Sequence, residues 1–489
     1  MYPLLPDVLQ GYGWISTVIG LLYAATIFGL IAVIVSENRN PVKSLAWTTV
    51  LLLLPLVGIV LYFFFGRNIK NKRMISRRNH RKLRRHERRS QFDPRREGLS
   101  LSSLQVIATA TSLTGAQYYA RNSVEVFTDG TSKFNALRDD IRRARTFINI
   151  QYYIFEDDAL GTEFAALLVE KVREGVTVRL LYDHVGSFNV SNGFFRRLKA
   201  EGIDTHPFFK VSFPQLGTKI NWRNHRKVCV IDGAVGYVGG MNVADRYIDG
   251  GSFPIWRDTH ARVVGPVVAA LAYSFAVDWN FTSGQLIDEH PDPDSRKIFL
   301  PGPGAVTGVG AQFLTSGPTS QWSNIAMTFH RAIASARHRV YIQTPYFLPT
   351  EGLLRALQSA AMAHVDVRLM VPEKSDSRML TNASASYFEE CLRAGIRIYR
   401  FKAGMLHAKT VIIDDEICSI GSTNFDFRSF DYNFESNLFL YSKAMNAYMA
   451  EVFNRDLLSC SRVTAAEWRR RPKTDKVVES IVRLLSPIL

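Results

Sequence analysis

The chain has 489 residues, a formal net charge of +16 and 47% hydrophobic residues. This length suits two to four domains or one large duplicated domain, and the hydrophobic content excludes a globally disordered protein. The basic charge is concentrated in residues 67–96, where 14 Lys and Arg residues stand against two acids. The rest of the chain is close to neutral, which is ordinary for the body of a soluble enzyme.

Two long uncharged segments open the chain. Residues 12–36 and 44–66 contain no charged side chain, and each exceeds the roughly 20 residues that a helix needs to cross a bilayer. We therefore predict a transmembrane helical hairpin over residues 1–66, with spans of about 12–36 and 44–66. A cleaved signal peptide fits the first segment poorly because no basic region precedes it, and two buried core helices are the other alternative.

The basic segment follows the second span and begins the juxtamembrane linker that we predict over residues 67–122. Because positive charge stays on the cytoplasmic side of a membrane, we expect both termini and the body in the cytoplasm, at the cell (inner) membrane. The same segment can hold anionic lipid headgroups. A simply solvated or topogenic segment is one alternative. A nucleic-acid arm is another, although the segment has little aromatic interleaving.

From residue 123 the chain reads as an α/β protein that repeats itself. Matching apolar segments, each typical of a buried strand, lie at 148–155 with 340–347 and at 176–181 with 365–370. The offset of about 190 residues is far beyond the period of a solenoid. We therefore predict a duplicated α/β domain with halves at 123–300 and 301–489, joined at a Gly- and Pro-rich stretch.

Each half carries one copy of the same polar signature. The copies are His225-Arg226-Lys227-(x)4-Asp232-(x)6-Gly239-Gly240-Met241-Asn242 and His407-Ala408-Lys409-(x)4-Asp414-(x)6-Gly421-Ser422-Thr423-Asn424. The histidine and lysine stand two residues apart, so on a strand both side chains point to one face. Identical offsets in two halves exclude chance, and we expect a pseudo-twofold axis to bring both faces into one site.

The chemistry that such a joint site supports is cleavage of a phosphodiester. One neutral imidazole attacks phosphorus, and the opposite imidazolium protonates the departing alkoxide. Lysine ammonium and asparagine amide groups stabilise charge on the nonbridging oxygens. No metal or other cofactor is expected, because lysine is not a zinc ligand and no carboxylate triad accompanies the histidines.

Four further acids complete the candidate site. Asp258 follows His225 by 33 residues and Glu435 follows His407 by 28, and each is predicted to accept a hydrogen bond from an imidazole Nδ1–H. Surface ion pairing is the alternative for either acid. The signature aspartates, Asp232 and Asp414, are counted with the catalytic set, although their place after a buried strand also allows them to brace the strand ends.

These motifs resemble the phospholipase D superfamily, whose hallmark is the paired HxK(x)4D(x)6GSxN signature, and among its members the bacterial cardiolipin synthases. The resemblance covers nearly the whole chain. Its further points are Asn40-Pro41, Trp47, Gly66-Arg67-Asn68, Trp256-Arg257-Asp258 and Ser486-Pro487-Ile488-Leu489. It implies two similar α/β halves around one active site. One departure is Gly240, which stands where the signature has serine, so the resemblance implies a phosphate-binding hydroxyl from Ser422 only.

The resemblance also implies an activity and roles for the site residues. Members of this family join two phosphatidylglycerols into cardiolipin and glycerol through a phosphatidyl-histidine. His225 is then the nucleophile and His407 the acid and base, with Asp258 and Glu435 as the orienting acids. The expected partners are phosphatidylglycerol and anionic membrane lipids, with no nucleic acid, and the oligomeric state is left open.

Several alternatives share these sequence features. A membrane-anchored phospholipase D that hydrolyses its lipid carries the same signatures, as does a nuclease of the superfamily. A catalytically silent membrane scaffold is the alternative from another class, and both intact signatures argue against it. Phosphatidylethanolamine or a free alcohol is a further candidate for the second substrate. The C-terminal residues 474–489 have an amphipathic pattern that suits either the membrane surface or packing on the body.

Overall fold

The computed structural model describes residues 13–36, 41–62, 73–86, 92–210, 221–287 and 294–485. The described helices within residues 13–62 belong to one compact unit, and the rest of the described chain forms a second. The polar turn between the two predicted spans lies mostly outside these residues, as do Gly66-Arg67-Asn68 and the terminal Ser486-Pro487-Ile488-Leu489.

The N-terminal unit consists of apolar helices. Helix α1 covers Gly13–Ser36, and its stretch Thr17–Ser36 is long and apolar enough to cross a membrane. The second apolar segment divides into α2 at Pro41–Leu53 and α3 at Pro55–Leu61, because proline has no N–H to continue the helix. Among the described helices, α1 is thus the one that satisfies the length of a span without interruption.

The first half of the body follows a short lead-in. Its helices are α4 Arg77–His86, α5 Leu101–Thr114, α6 Gly130–Arg143, α7 Ala159–Arg173, α8 Asn192–Ala200, α9 Arg246–Asp249, α10 Val268–Ser283 and α11 Ser295–Ile298. Its strands are β1 Tyr119–Phe127, β2 Phe147–Tyr152, β3 Thr177–Asp183, β4 Asp204–Phe208, β5 Arg223–Asn224, β6 Val228–Ile231, β7 Val235–Gly239, β8 Trp256–Arg257 and β9 His260–Val264.

The second half repeats this order. Its strands are β10 Val306–Ser316, β11 Arg339–Gln343, β12 Phe347–Leu348, β13 Asp366–Pro372, β14 Arg397–Phe401, β15 Met405–Leu406, β16 Thr410–Ile413, β17 Ile417–Gly421, β18 Phe425–Asp426, β19 Asn433–Tyr441 and β20 Cys460–Val463. Its helices are α12 Asn324–Ala334, α13 Glu351–Met362, α14 Arg378–Ala385, α15 Phe388–Arg393, α16 Phe427–Asp431, α17 Lys443–Leu457, α18 Ala465–Arg470 and α19 Lys473–Leu485.

The two halves share one sheet of 16 strands. Its order is β20-β14-β13-β11-β16-β17-β19-β10-β1-β9-β7-β6-β2-β3-β4, with β5 attached to β19. Reading outward from the β10–β1 pair, β19 corresponds to β9, β17 to β7, β16 to β6 and β11 to β2. The central pair is antiparallel, as a twofold relation requires, with Ala311 opposite Tyr119. The duplicated α/β fold predicted from the repeat is confirmed.

The hydrophobic core lies on both faces of this sheet. One cluster belongs to each half, and a third lies on the opposite face, where helices α10 and α17 cover strands from both halves. The strands are buried on both faces, which explains their continuous apolar sequences. Beside this core, each signature lysine stands directly before β6 or β16, and each signature asparagine stands shortly after β7 or β17.

Part of the predicted linker 67–122 is folded into the body. Helix α5 packs into the core of the second half through Val106, Ile107 and Ala110. Upstream, Ile75 and Leu83 at α4 pack against Ala276 on α10. Five basic side chains of α4 lie at the surface, so the segment combines a docked apolar face with an exposed cationic face; they are Arg77, Arg78, Arg81, Lys82 and Arg84.

The C-terminal helix α19 uses one face to contact the body and leaves another exposed. Arg483 lies 2.6 Å from Glu390, and Val482 packs on the core of the second half. Val477 and Ile481 are 58% and 57% exposed. Both alternatives foreseen for this segment therefore have a structural basis, because the packed face and the apolar exposed face are different.

Candidate active site

Two short strand pairs carry the signature histidines into the opposite half of the molecule. Strand β5 pairs in parallel with the start of β19, and β15 pairs in parallel with β8. Directly after these pairs, the backbone N–H of His225 donates to the carbonyl of Phe434 at 2.9 Å, and that of His407 donates to the carbonyl of Arg257 at 2.7 Å. Each histidine is therefore held by the strand that leads to the acid of the other half.

The imidazoles contact both predicted orienting acids. Nδ1 of His225 lies 3.0 and 3.1 Å from the carboxylate oxygens of Glu435, and Nδ1 of His407 lies 2.6 Å from Oδ2 of Asp258. Each acid thus contacts the histidine of the other half, a pairing that the sequence had left open. An acid that accepts from Nδ1–H fixes the tautomer and leaves Nε2 available for reaction.

Burial is the main influence on the charge of both imidazoles. It lowers the pKa of His225 to about 4, and burial together with the Lys409 ammonium lowers the pKa of His407. Burial by itself would raise the pKa of Asp258 and of Glu435, but the lysine and histidine beside each acid hold it below its ordinary range. The resting site thus contains two neutral imidazoles, each against an ionised carboxylate.

The signature lysines lie beside the histidines that precede them. Nζ of Lys227 donates to the carbonyl of His225 at 2.8 Å, and Nζ of Lys409 lies 2.7 Å from Nδ1 of His407 and also donates to its carbonyl. Burial lowers the pKa of Lys227 to about 7 and that of Lys409 to about 8. An entering phosphate would favour the protonated ammonium groups, because opposite charges stabilise each other where water is excluded.

Both imidazoles line one cavity of about 520 Å³. The two signature asparagines, Asn242 and Asn424, line it as well. Oδ1 of Asn242 accepts from the backbone N–H of Ile154 at 3.1 Å, which aims its amide. The structure therefore brings the histidine and asparagine of both signatures together around a single space large enough for a phosphodiester headgroup.

The cavity also contains residues that the sequence analysis missed. Arg246 and Arg428 line it, and each stands four residues after a signature asparagine, an offset repeated in both halves that could have identified them. The ring of Tyr153 lies 4.8 Å from that of His225 in an edge-on contact. No repeated residue could have identified Tyr153, because its counterpart in the second half is Pro345.

Ser422 has a different partner from the one predicted. Its hydroxyl donates to Oε2 of Glu435 and accepts from the backbone N–H of Ser436 at 3.0 Å. This buried hydroxyl is thus committed to the orienting acid rather than directed at a phosphate. In this structure the hydroxyl supports the His225–Glu435 pair, and its contact with a phosphate stays a prediction.

The glycine that replaces the signature serine in the first half has a steric reason. A Cβ atom at Gly240 would collide with the carboxylate of Asp258. Aspartate is one methylene shorter than glutamate, so the carboxylate of Asp258 lies close to its strand, in the space that a serine side chain would need. The two centres are therefore asymmetric, with Ser422 and a glutamate at one and Gly240 and an aspartate at the other.

The signature aspartates lie away from the imidazoles. Asp232 accepts hydrogen bonds from the backbone N–H groups of Thr146 and Phe147, each at 2.9 Å, and Asp414 accepts from that of His338 at 2.8 Å. Both stand at the far end of the strand that begins after the signature lysine. We therefore propose the bracing role that their place after a buried strand allowed, because a strand separates them from the reacting groups.

Among the residues that the structure describes, no group of three or more His, Cys, Asp or Glu side chains is placed to hold a metal ion. The charged side chains that line the cavity are those of Arg223, Arg246 and Arg428, with the carboxylates of Asp376 and Asp426.

Comparison with known proteins agrees with this geometry. Residues 137–251 and 329–457 match a family model described as the cardiolipin synthase, PLD-like domain, with one match in each half. Residues 24–67 match a model described as phospholipase D-nuclease N-terminal. That N-terminal match and the apolar helix α1 indicate a membrane protein.

Relatives match along nearly the whole chain. It is 37% identical to the major cardiolipin synthase of Bacillus subtilis (strain 168) over 97% of this chain and 99% of the relative. It is also 37% identical to a cardiolipin synthase of Oceanobacillus iheyensis, over 98% of this chain and 100% of the relative. The crystal structure of phosphatidylserine synthase from Haemophilus influenzae Rd KW20 covers 79% of this chain and 100% of that chain, with a TM-score of 0.60 and 13% identity, a likeness of fold.

Proposed function

The chain belongs to the cardiolipin synthase family of phospholipase D-like proteins, and from this premise we propose that it joins two phosphatidylglycerol molecules into cardiolipin and glycerol. The observation that carries the proposal is the crosswise pairing of the histidines. His225 with Glu435 and His407 with Asp258 line one cavity from opposite halves. Two neutral imidazoles, each with an ionised acceptor, supply a nucleophile and a base that can become an acid.

The first half-reaction forms a phosphatidyl-histidine. When the anionic phosphate binds, it favours the imidazolium of His407, which takes up a proton from water. Nε2 of His225 then attacks the phosphorus of one phosphatidylglycerol, the bond from phosphorus to the glycerol oxygen breaks, and His407 gives its proton to the departing glycerol. The low pKa of His225 favours the neutral nucleophile. Asp258 favours the imidazolium that His407 must carry at this moment, since an ion pair lowers the energy of the charged form.

The second half-reaction transfers the phosphatidyl group. His407, now neutral, takes the proton from the free terminal hydroxyl of a second phosphatidylglycerol as the oxygen attacks phosphorus. The bond from phosphorus to His225 breaks, and cardiolipin leaves. The ammonium groups of Lys227 and Lys409, with the amides of the signature asparagines, stabilise the negative charge that builds on the nonbridging oxygens in both steps.

The asymmetry of the two centres supports His225 as the nucleophile. Its acceptor, Glu435, takes a further hydrogen bond from Ser422, so the carboxylate is held from two sides. At the other centre, Nδ1 of His407 faces both Asp258 and Lys409. A nucleophile benefits from one fixed orientation, whereas a group that loses and regains a proton benefits from a neighbouring charge on either side.

We propose a two-span arrangement with the body in the cytoplasm. Helix α1 exposes large apolar side chains such as Leu21 and Phe28, and α2 with α3 supply a second apolar segment interrupted at Pro55. The basic segment that follows supports a cytoplasmic body, because lysine and arginine remain on that side. The exposed cations of α4 suit the phosphates of anionic lipids.

Product analysis tests the reaction. The full-length protein in detergent is incubated with phosphatidylglycerol and a metal chelator, and the lipids are identified by mass spectrometry. Cardiolipin and glycerol in equal amounts, absent with His225→Ala, are the expected result. Phosphatidic acid alone would show a hydrolase and overturn the proposal, and cardiolipin formed only when phosphatidylethanolamine is added would replace the second substrate.

A further inference from the structure

We propose that Arg226 and Arg257 are positioning residues that hold the two orienting carboxylates, Glu435 and Asp258, against the imidazoles. The guanidinium has the same task at both centres but comes from a different strand at each. The inference rests on the proposed function, because it concerns how the same two histidines are kept aligned.

At the His225 centre, the guanidinium comes from the residue after the histidine. Nε of Arg226 donates to the backbone carbonyl of Glu435 at 3.1 Å, and Nη1 lies 2.6 Å from both carboxylate oxygens of Asp278 on α10. Asp278 also accepts from Nε2 of Gln151 on the central strand β2 at 2.6 Å. Arg226 thereby joins the backbone of the orienting acid to a helix and a strand of the other half.

At the His407 centre, the guanidinium comes from the residue before the acid. Nη1 of Arg257 donates to the backbone carbonyl of Asp258 at 2.5 Å, and Nη2 lies 2.8 Å from Oδ2 of Asp456 on α17. Asp456 accepts from Nε2 of Gln343 on β11 at 2.7 Å. Helix α17 corresponds to α10 and β11 to β2, so the partners of the two guanidinium groups are equivalent.

The arginines themselves are not equivalent. Ala408 occupies the position of Arg226 in the second signature, and Phe434, directly before Glu435, occupies the position of Arg257. One centre therefore has arginine on the histidine strand and phenylalanine on the acid strand, and the other has alanine and arginine. If this position needed only an apolar side chain to fill space, neither centre would require an arginine. Each centre has one nevertheless, supplied from a different strand.

The charge is costly to place there. Arg226 and Arg257 are 5% and 6% exposed, and a buried guanidinium is tolerated only with a charged partner and satisfied donors. Neither guanidinium lines the reaction cavity. What each contacts is the backbone of an orienting acid, and a displacement of the carboxylate by about 1 Å is enough to slow catalysis on the order of 100-fold.

The first test replaces each arginine by lysine in the full-length protein. Arg226→Lys and Arg257→Lys keep a charge for the buried aspartate but lose the planar fork that reaches the carbonyl at the same time. We expect kcat for cardiolipin formation to fall at least tenfold, with KM for phosphatidylglycerol changed less than twofold. The pH profile of kcat separates the two variants. A loosened carboxylate favours the imidazolium less, so the pKa of its histidine falls. Arg226→Lys should then move the acid limb, set by the neutral His225, to lower pH, and Arg257→Lys should move the alkaline limb, set by the protonated His407, to lower pH.

The second test relocates the guanidinium. Arg226→Ala with Phe434→Arg copies the arrangement of the second centre, and Arg257→Phe with Ala408→Arg copies that of the first. Each relocated variant is expected to recover at least tenfold in kcat over the variant that only loses its arginine. Thermal unfolding of every variant shows whether the measured protein is folded. If a relocated variant is unfolded, the lysine variants alone test whether the arginines position the acids.

A matched control separates positioning from stability. Arg262→Lys disturbs a similar buried pair, in which Nε of Arg262 lies 2.6 Å from Oδ2 of Asp140 and no orienting acid is touched. This control should lower the melting temperature but keep kcat. The inference is overturned if the lysine variants retain the wild-type kcat and pH profile, or lose no more activity than Arg262→Lys. Activity retained in His225→Ala and His407→Ala would instead defeat the proposed function.

Discussion

Nδ1 of His407 lies 2.6 Å from Oδ2 of Asp258, a residue 149 positions earlier in the other half of the body. The equivalent contact joins His225 to Glu435 across 210 positions. Neither half on its own can therefore hold a histidine with its acceptor, because the acceptor arrives on the crossing strand from the other half. The active site is complete only when both halves share the one sheet.

The assignment of His225 as nucleophile predicts different behaviour of the two histidine variants on an activated lipid. With phosphatidyl-p-nitrophenol, the leaving group departs without a proton, so His407→Ala should still release p-nitrophenolate in a burst equal to the enzyme concentration. His225→Ala should lose the burst, by on the order of 1,000-fold or more in rate. The absorbance of p-nitrophenolate in a rapid-mixing experiment measures both, with the wild-type protein as reference. The reverse pattern would exchange the two roles.

The Ser422 hydroxyl predicts a pH effect of defined sign. Burial alone would raise the pKa of Glu435, whereas His225, Lys227 and the Ser422 hydrogen bond hold that pKa down. Ser422→Ala removes one of these stabilising contacts, so the carboxylate attracts protons more strongly, and the pKa values of Glu435 and of the His225 imidazole beside it both rise. The acid limb of the kcat profile should move to higher pH, with KM little changed. An unchanged limb with raised KM would favour a phosphate-binding hydroxyl instead.

Gly240 predicts a steric limit at the other centre. A serine here, as in the family signature, would displace the carboxylate of Asp258 from His407, and we expect Gly240→Ser to lower kcat about 10- to 100-fold. Gly304→Ser is the control, because nothing lies within 4 Å of a Cβ atom at Gly304. Steady-state kinetics with phosphatidylglycerol compare the two. Equal activity of both variants would show that Asp258 can move without loss.

The signature aspartates predict an effect on stability without an effect on chemistry. Asp232→Asn weakens the hydrogen bonds to the backbone at Thr146 and Phe147, and should lower the free energy of unfolding by about 1–3 kcal/mol. The folded variant should keep its kcat within about twofold. Asp415→Asn, whose side chain is 69% exposed, is the control for thermal unfolding. A large fall in kcat at unchanged stability would return Asp232 to the catalytic set.

The proposed topology predicts opposite accessibility of two engineered thiols. The experiment uses a variant without the native cysteines, in cells whose outer envelope is permeabilised and whose inner membrane is intact. A cysteine at Asn38, between the two apolar segments, should react there with a membrane-impermeant maleimide. A cysteine at Arg355, whose side chain is 73% exposed on the body, should react only after the inner membrane is lysed. Labelling of both positions in intact cells would contradict a cytoplasmic body.

Much of the architecture could be predicted from local patterns. The repeated apolar segments and the two signatures at equal offsets predicted the duplicated α/β fold, because a duplicated sequence must build each half from the same elements. The long uncharged segment at Thr17–Ser36 predicted helix α1 by composition alone. The offset of Arg246 and Arg428 from the signature asparagines is also repeated in both halves, and it points to two further residues that line the cavity.

Local patterns did not assign a partner to the residues whose role depends on the other half. The sequence by itself determined which side chains have the chemistry: two histidines, two lysines and two acids at repeated spacing. Only the tertiary structure decided that each acid contacts the histidine of the other half, that Ser422 supports Glu435, and that Asp232 braces a strand end. Spacing along a chain describes neighbours on one strand. These contacts instead arise where short strands from the two halves pair, and that pairing depends on how the two halves assemble into one sheet.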